Sequence, residues 1–118
     1  MAKHSICHVE WSSTDLNRSK TFYGGLFDWK FEQWNETYAL FSAPDGAGGG
    51  ISKVDRVAPT DATVVYIMVD EIAPYLGRAA ELGGGVAVPK TEIPNMGWFA
   101  HLKDPDGNVV GIYQNNHK

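Results

Sequence analysis

The order of apolar and polar residues along the chain predicts the same run of elements twice. Alternation over residues 5–12 predicts a strand, because successive side chains of a strand point to opposite faces. Apolar residues then recur at helical spacing, and three further runs rich in β-forming residues follow with turns between them. The later strands of this half are residues 29–34, 37–43 and 48–54, and the apolar stripe of its helix contains Leu16, Ser19, Phe22, Tyr23 and Leu26.

The pattern restarts after a polar connector over residues 55–62. An offset of 56 residues places Val9 on Val65 and Leu16 on Ile72, which indicates a duplicated unit. We therefore predict an α+β fold in a single domain, residues 1–118, in which two βαβββ modules (about 4–54 and about 63–115) form one cupped mixed sheet. The second half consists of strands at 63–69, 86–90, 97–103 and 108–114 and a helix over 71–82, whose apolar face contains Ile72, Tyr75, Leu76, Ala79 and Leu82.

Composition and charge limit the classes of partner that the chain is expected to bind. The 118 residues are 43% hydrophobic and 20% charged, as in globular proteins, and the net charge of −4 provides no electrostatic footprint for a phosphate backbone. No run approaches the roughly 18 consecutive apolar residues of a membrane span, and the N-terminus lacks the apolar core of a secretory signal. The one cysteine, Cys7, lies within a predicted strand and is typical of a small buried residue. We therefore expect a cytoplasmic protein with neither nucleic-acid nor membrane partners.

Two stretches near the ends of the chain carry a family resemblance. The chain resembles the vicinal oxygen chelate superfamily, which includes glyoxalase I, bleomycin-resistance proteins, fosfomycin-resistance transferases and extradiol dioxygenases. This fold supports many chemistries, so the resemblance implies the fold more strongly than an activity. The stretches are His8-Val9-Glu10-Trp11 continuing into Thr14-Asp15-Leu16-Asn17-Arg18-Ser19, Phe22-Tyr23 and Leu26-Phe27, and the closing Asp104-Pro105-Asp106-Gly107-Asn108. Phe27-Asp28-Trp29 and Gly97-Trp98-Phe99-Ala100 resemble small glyoxalase-like proteins in particular.

The resemblance implies a divalent metal held by His and Glu side chains from the first and last strands of each module. His8 occupies the first of these positions and is a suitable ligand. The other three positions fall on Val64, Gly50 and Gly111, which provide no ligand atom. Since a single imidazole does not hold a catalytic metal, we predict neither a metal site nor another cofactor.

Strand alternation indicates what lines the cup. If His8 faces the cavity, Tyr66 and Phe99 face it as well, whereas Ala100 and Leu102 face the core. Glycine at two floor positions is expected to leave room for a ligand. The predicted binding residues are Tyr66, Met68, Phe99, Tyr113, Gly50 and Gly111, a lining that suits a small aromatic or amphipathic molecule.

Three functions remain open. The first is metal-independent binding of such a molecule, as in the bleomycin-resistance branch of the resembled family. The second is a lyase or isomerase that uses His8, Glu10 and His101 for proton transfer or recruits a metal through non-standard ligands. The third is an accessory protein without a ligand, in which His8 is simply satisfied by Glu10 or by a tyrosine hydroxyl. Small members of the resembled family commonly form dimers, and Trp29, Trp34 and Trp98 exceed what a small core buries, so we expect a homodimer.

Overall fold

The ten elements follow the predicted order. The computed structural model describes residues 2–44, 48–57 and 63–116. The α+β class and the repeated βαβββ order are confirmed. The elements are β1 (Ile6–Ser13), α1 (Leu16–Phe27), β2 (Lys30–Asn35), β3 (Tyr38–Ser42), β4 (Gly48–Lys53), β5 (Thr63–Met68), α2 (Ala73–Glu81), β6 (Gly85–Ile93), β7 (Gly97–Lys103) and β8 (Val109–Asn115). The chain divides into two compact units, Cys7–Val64, which contains most of module one, and Met1–Ile6 with Val65–Lys118, which contains most of module two.

Module one is a four-stranded sheet with α1 against one face. The strand order is β2-β3-β4-β1, where β1 runs parallel to β4 and the other pairs are antiparallel. One side of the sheet packs beneath the helix as an aromatic core, and His8 and Glu10 alternate onto the other side. The core consists of Leu16, Ala39, Phe41 and Ile51, with Trp11, Tyr23, Trp29 and Phe31 packed around it.

Helix α1 begins at a side-chain cap and ends at a left-handed residue. The Asp15 carboxylate accepts a hydrogen bond from the Arg18 backbone N–H, and Asp28 ends the helix in the left-handed region at φ 62°. The predicted apolar stripe is only partly correct, because Phe22 and Leu26 are 58% and 60% exposed. At about 100° per residue, they lie roughly 120° and 80° around the helix from buried Leu16, outside its contact face.

Module two repeats this architecture with α2. Its strand order is β5-β8-β7-β6, with β5 parallel to β8. Backbone hydrogen bonds from His4 to Met68 and from Met68 to Ser5 tie the N-terminal segment to β5. The core consists of Val69, Ile72, Ala100 and Ile112, with Tyr75, Leu76, Trp98 and Leu102 around it.

Helix α2 is shorter than the predicted span of 71–82. Pro74 lies in the first turn, where its missing N–H is harmless, and Ile72 just before the helix is fully buried. The backbone N–H of Ile72 donates a hydrogen bond to Oε1 of Gln114 at 2.9 Å. Leu82, predicted on the buried face, lies beyond the helix and is exposed. Within the described parts of the chain, no helix is long and apolar enough to cross a membrane.

Strand β6 is longer than the predicted strand over 86–90. It continues to Ile93, and its pairing with β7 shifts register between Val86 and Thr91. Strand β6 lies at the edge of the sheet and pairs only with β7 among the described strands. Pro89 therefore removes no hydrogen bond to a strand on the other side.

Candidate functional site

A chain of three polar side chains lies on the face of module one opposite α1. His8 and Glu10 both come from β1, and Tyr38 comes from the start of β3. The Tyr38 hydroxyl lies 2.8 Å from Nε2 of His8 and donates to Oε1 of Glu10 at 2.9 Å. The structure thus brings together two predicted catalytic candidates. It adds Tyr38, which sequence reasoning missed because only the strand register shows where this ring points.

The two hydrogen bonds link the protonation states of His8, Tyr38 and Glu10. A phenol has one proton, so when Tyr38 donates it to Glu10, the matching tautomer of His8 carries a proton on Nε2 and donates it to the phenol oxygen. Burial lowers the pKa of His8, which favours the neutral imidazole. Burial raises the pKa of Glu10, and the hydrogen bond from Tyr38 partly opposes this shift. The pKa of the acid, Glu10, and the pKa of the base, His8, therefore differ by less than they do in free side chains.

The two floor glycines do not leave open space, so that expectation is wrong. A Cβ atom at residue 50 would overlap Oη, Cζ and Cε2 of Tyr38. A Cβ atom at residue 111 would likewise overlap the ring of Tyr66, which is 7% exposed. In each module a tyrosine ring occupies the volume above the glycine.

Module two carries an aromatic group on the face opposite α2. The Tyr66 hydroxyl lies 2.7 Å from Nε2 of His101, and the Phe99 ring contacts both rings, with centroids 6.5 and 5.4 Å away. Met68 and Phe99 are both paired in register with Tyr113, whose hydroxyl donates to the Met96 carbonyl at 3.1 Å. Ala100 and Ile112 lie in the core on the other face, in agreement with the predicted alternation. Five of the predicted residues are therefore neighbours on one sheet face.

Described residues of module one line two open clefts. The larger, of about 460 Å³, has a volume within the range of small-molecule sites. A second cleft of about 350 Å³ lies at the start of α1 and is lined by Asn17 and Lys53 among others. His8, predicted from the sequence to face the cavity, lines the larger cleft, whereas the aromatic group of module two lines neither cleft. The larger cleft is lined by His8, Lys30, Phe31, Glu32, Leu40 and Phe41, together with Cys7, Ser42, Gly48 and Gly49.

The residues present do not fit the metal that the resemblance implies. Val64 is a buried apolar side chain, and the volumes above Gly50 and Gly111 are filled by tyrosine rings. His8 already holds a hydrogen bond with Tyr38. Among the described residues, no three His, Cys, Asp or Glu side chains are grouped so that they would hold a metal ion.

Comparison with known proteins agrees with this fold. The chain is 27% identical to "Putative glyoxylase CFP32" of Mycobacterium bovis over 92% of its own length, but it spans only 44% of that relative. It is 28% identical to a glyoxylase-like domain-containing protein of Didymella fabae, covering 91% of each chain. A solved superfamily member from Vibrio splendidus superposes with a TM-score of 0.69 at 14% identity, covering 96% of this chain and all 100% of the other. The family model of the Glyoxalase/Bleomycin resistance protein/Dioxygenase superfamily matches residues 5–112, and the chain belongs to that superfamily.

Proposed function

We propose that the chain binds a small amphipathic or aromatic molecule in the larger cleft of module one, without a metal ion. The observation that carries this proposal is the cleft itself, with a volume of about 460 Å³ and a mixed lining. Phe31, Leu40 and Phe41 provide apolar walls for a ring or hydrocarbon. Lys30 and Glu32 provide charges of both signs, so a ligand with one apolar and one polar end matches this lining.

The aromatic group of module two is a second candidate surface for the same class of ligand. Tyr66, Met68, Phe99 and Tyr113 share one sheet face with His101, and three of these rings are in mutual contact. An aromatic ligand that packs on Phe99 gains about 0.5–1.5 kcal/mol beyond area burial. Variants in each module separate the two surfaces.

The test is a thermal-shift screen of aromatic and amphipathic metabolites against the wild-type chain. A ligand at about 100 times its dissociation constant stabilises the protein by about 2.7 kcal/mol, and EDTA leaves this shift unchanged. Ser42→Trp fills the cleft from an exposed position and abolishes the shift. Asn17→Trp, in the smaller cleft, is the matched control and retains it. A shift that survives Ser42→Trp but disappears in Phe99→Ala assigns the ligand to module two. A screen without hits contradicts the proposal.

Proton transfer, as in a lyase or isomerase, is the second candidate function. The Glu10–Tyr38–His8 chain favours it, because two hydrogen bonds join an acid and a base whose pKa values move towards each other. The expected substrate is a carbonyl compound with an acidic C–H bond. In D₂O, NMR is expected to detect deuterium exchange at that carbon, lost in His8→Ala and slowed in Tyr38→Phe. Equal exchange rates in wild type and His8→Ala contradict this candidate.

We also infer a symmetric homodimer in the cytoplasm. Exposed Phe22 and Leu26 on α1 provide an apolar surface for a second copy. The single cysteine and the net charge of −4 suit a reducing compartment without nucleic-acid partners.

A further inference from the structure

We propose that Tyr38 and Gly50 act as a steric pair that excludes a divalent metal from module one and puts a hydroxyl group in its place. This inference deepens the proposed metal-independent function and rests on it in that one respect. It concerns only residues of β1, β3 and β4, and its test needs no knowledge of the ligand.

The register of the sheet shows why the Tyr38 ring and a side chain at residue 50 cannot be present together. Glu10 on β1 and Gly50 on β4 are direct partners, so a side chain at residue 50 would stand beside Glu10 on the same face. The Tyr38 ring already fills the space where that side chain would begin, because a Cβ atom there overlaps three of its atoms. A carboxylate at residue 50 and the ring of Tyr38 therefore exclude each other.

The hydrogen bonds show how the Tyr38 hydroxyl replaces a metal ion between His8 and Glu10. The Tyr38 hydroxyl contacts Nε2 of His8 at 2.8 Å and Oε1 of Glu10 at 2.9 Å, and both of these atoms are of the kind that ligates metals. For the ring to turn aside, both hydrogen bonds must break at part-buried groups, which is unfavourable unless new partners form. The phenol thus holds both groups in the way that a bound cation would otherwise hold them.

Two substitutions together are expected to create a metal site in module one. Removing the ring and adding a carboxylate at residue 50 places three ligand-type side chains on one face of module one: His8, Glu10 and the introduced carboxylate. Three protein ligands of this kind are enough for an open divalent-metal site. Either change alone is insufficient, since Gly50→Glu retains the ring and Tyr38→Ala lacks the third ligand.

Titration calorimetry with zinc and with manganese tests this on four purified proteins. We expect one-to-one binding and a rise in melting temperature only for Tyr38→Ala/Gly50→Glu. The matched control, Tyr38→Ala/Gly50→Gln, has the same volume but an amide in place of the carboxylate, and we expect it to show neither one-to-one binding nor a rise in melting temperature. Wild type and Gly50→Glu show no one-to-one binding. If Gly50→Glu alone binds as tightly as the double variant, or if the folded double variant binds no metal, the inference is overturned.

A measurement on the wild type keeps the inference testable if the double variant fails to fold. Nitrogen NMR of His8 is expected to show the proton on Nε2, with no shift on addition of one equivalent of zinc or of EDTA. Tyr38→Phe retains the ring but removes the hydroxyl, so it shifts the His8 signals while remaining unable to bind zinc. Zinc-induced shifts of His8 in the wild type contradict the inference. Failure of the ligand screen leaves these metal measurements unaffected.

Discussion

The ring of Tyr66 on β5 lies over Gly111, its register partner on β8, and reaches His101 on the next strand. His101 is itself the partner of Gly111 on β7, so the tyrosine spans three adjacent strands across a glycine. In module one, Tyr38 on β3 is paired with Ser52, two residues beyond Gly50 on β4, and its ring crosses Gly50 diagonally to reach Glu10 on β1. The two modules fill equivalent glycine positions with tyrosines from opposite sides.

We expect Gly111→Ala to destabilise the protein by about 1–3 kcal/mol, because the added methyl group overlaps a buried ring and the strands must shift. Urea unfolding measures the change. Gly25→Ala is the matched control: Gly25 lies within α1 with open space around it, so this change stabilises by about 0.5–1 kcal/mol. Adding Tyr66→Ala to Gly111→Ala is expected to cost less than the sum of the two single changes. If the losses of unfolding free energy in the two single variants simply add in the double variant, the added methyl group does not overlap the Tyr66 ring.

The stability difference between Glu10→Gln and wild type is expected to depend on pH. Burial raises the pKa of Glu10, so the folded protein holds this proton more tightly than the unfolded chain does. The stability from protonated Glu10 is complete below about pH 4.3 and is lost as the pH rises through the higher folded-state pKa. The variant does not ionise, and its stability relative to wild type therefore rises across this window.

Urea unfolding of both proteins at several pH values checks this prediction. His8, whose pKa is lowered by burial, titrates in both proteins, so its contribution largely cancels in the difference. Glu10→Gln retains an oxygen that accepts from Tyr38. Parallel stability curves for the two proteins would be evidence that the pKa of Glu10 is not raised.

Asp15→Ala is expected to destabilise the protein by about 0.5–2 kcal/mol, because it removes the acceptor for the Arg18 N–H at the start of α1. Asp15→Asn retains an acceptor oxygen at the same position and is expected to keep most of the stability. Chemical denaturation compares the two. An equal loss in both variants means that the charge, rather than the cap, is what matters.

Light scattering at micromolar concentration is expected to give twice the chain mass of 12.9 kDa. Phe22→Lys/Leu26→Lys places two charges on the apolar surface of α1 and is expected to yield monomers. Leu82→Lys changes another exposed apolar residue, in module two, and leaves the dimer intact. A wild-type mass of one chain contradicts the homodimer.

Sequence alone determined the order of the elements and much of their local detail. The Asp15 cap, the position of Pro74 in α2 and the opposite orientations of Phe99 and Ala100 all follow from contacts within a few residues. Helical and strand periodicities are local properties, and hydrophobic patterning expresses them directly. The family resemblance likewise depends on motifs readable in one dimension.

Only the tertiary structure decided how the candidate site is filled. Glycine at residues 50 and 111 indicates open space in the sequence, yet the rings of Tyr38 and Tyr66 occupy it. Tyr38 is 28 residues from Glu10, and the hydrogen bond between them depends on the register of β3, β4 and β1. Register and rotamer are set by packing between distant segments, and a pattern along the chain does not encode which side chain fills a neighbour's missing volume.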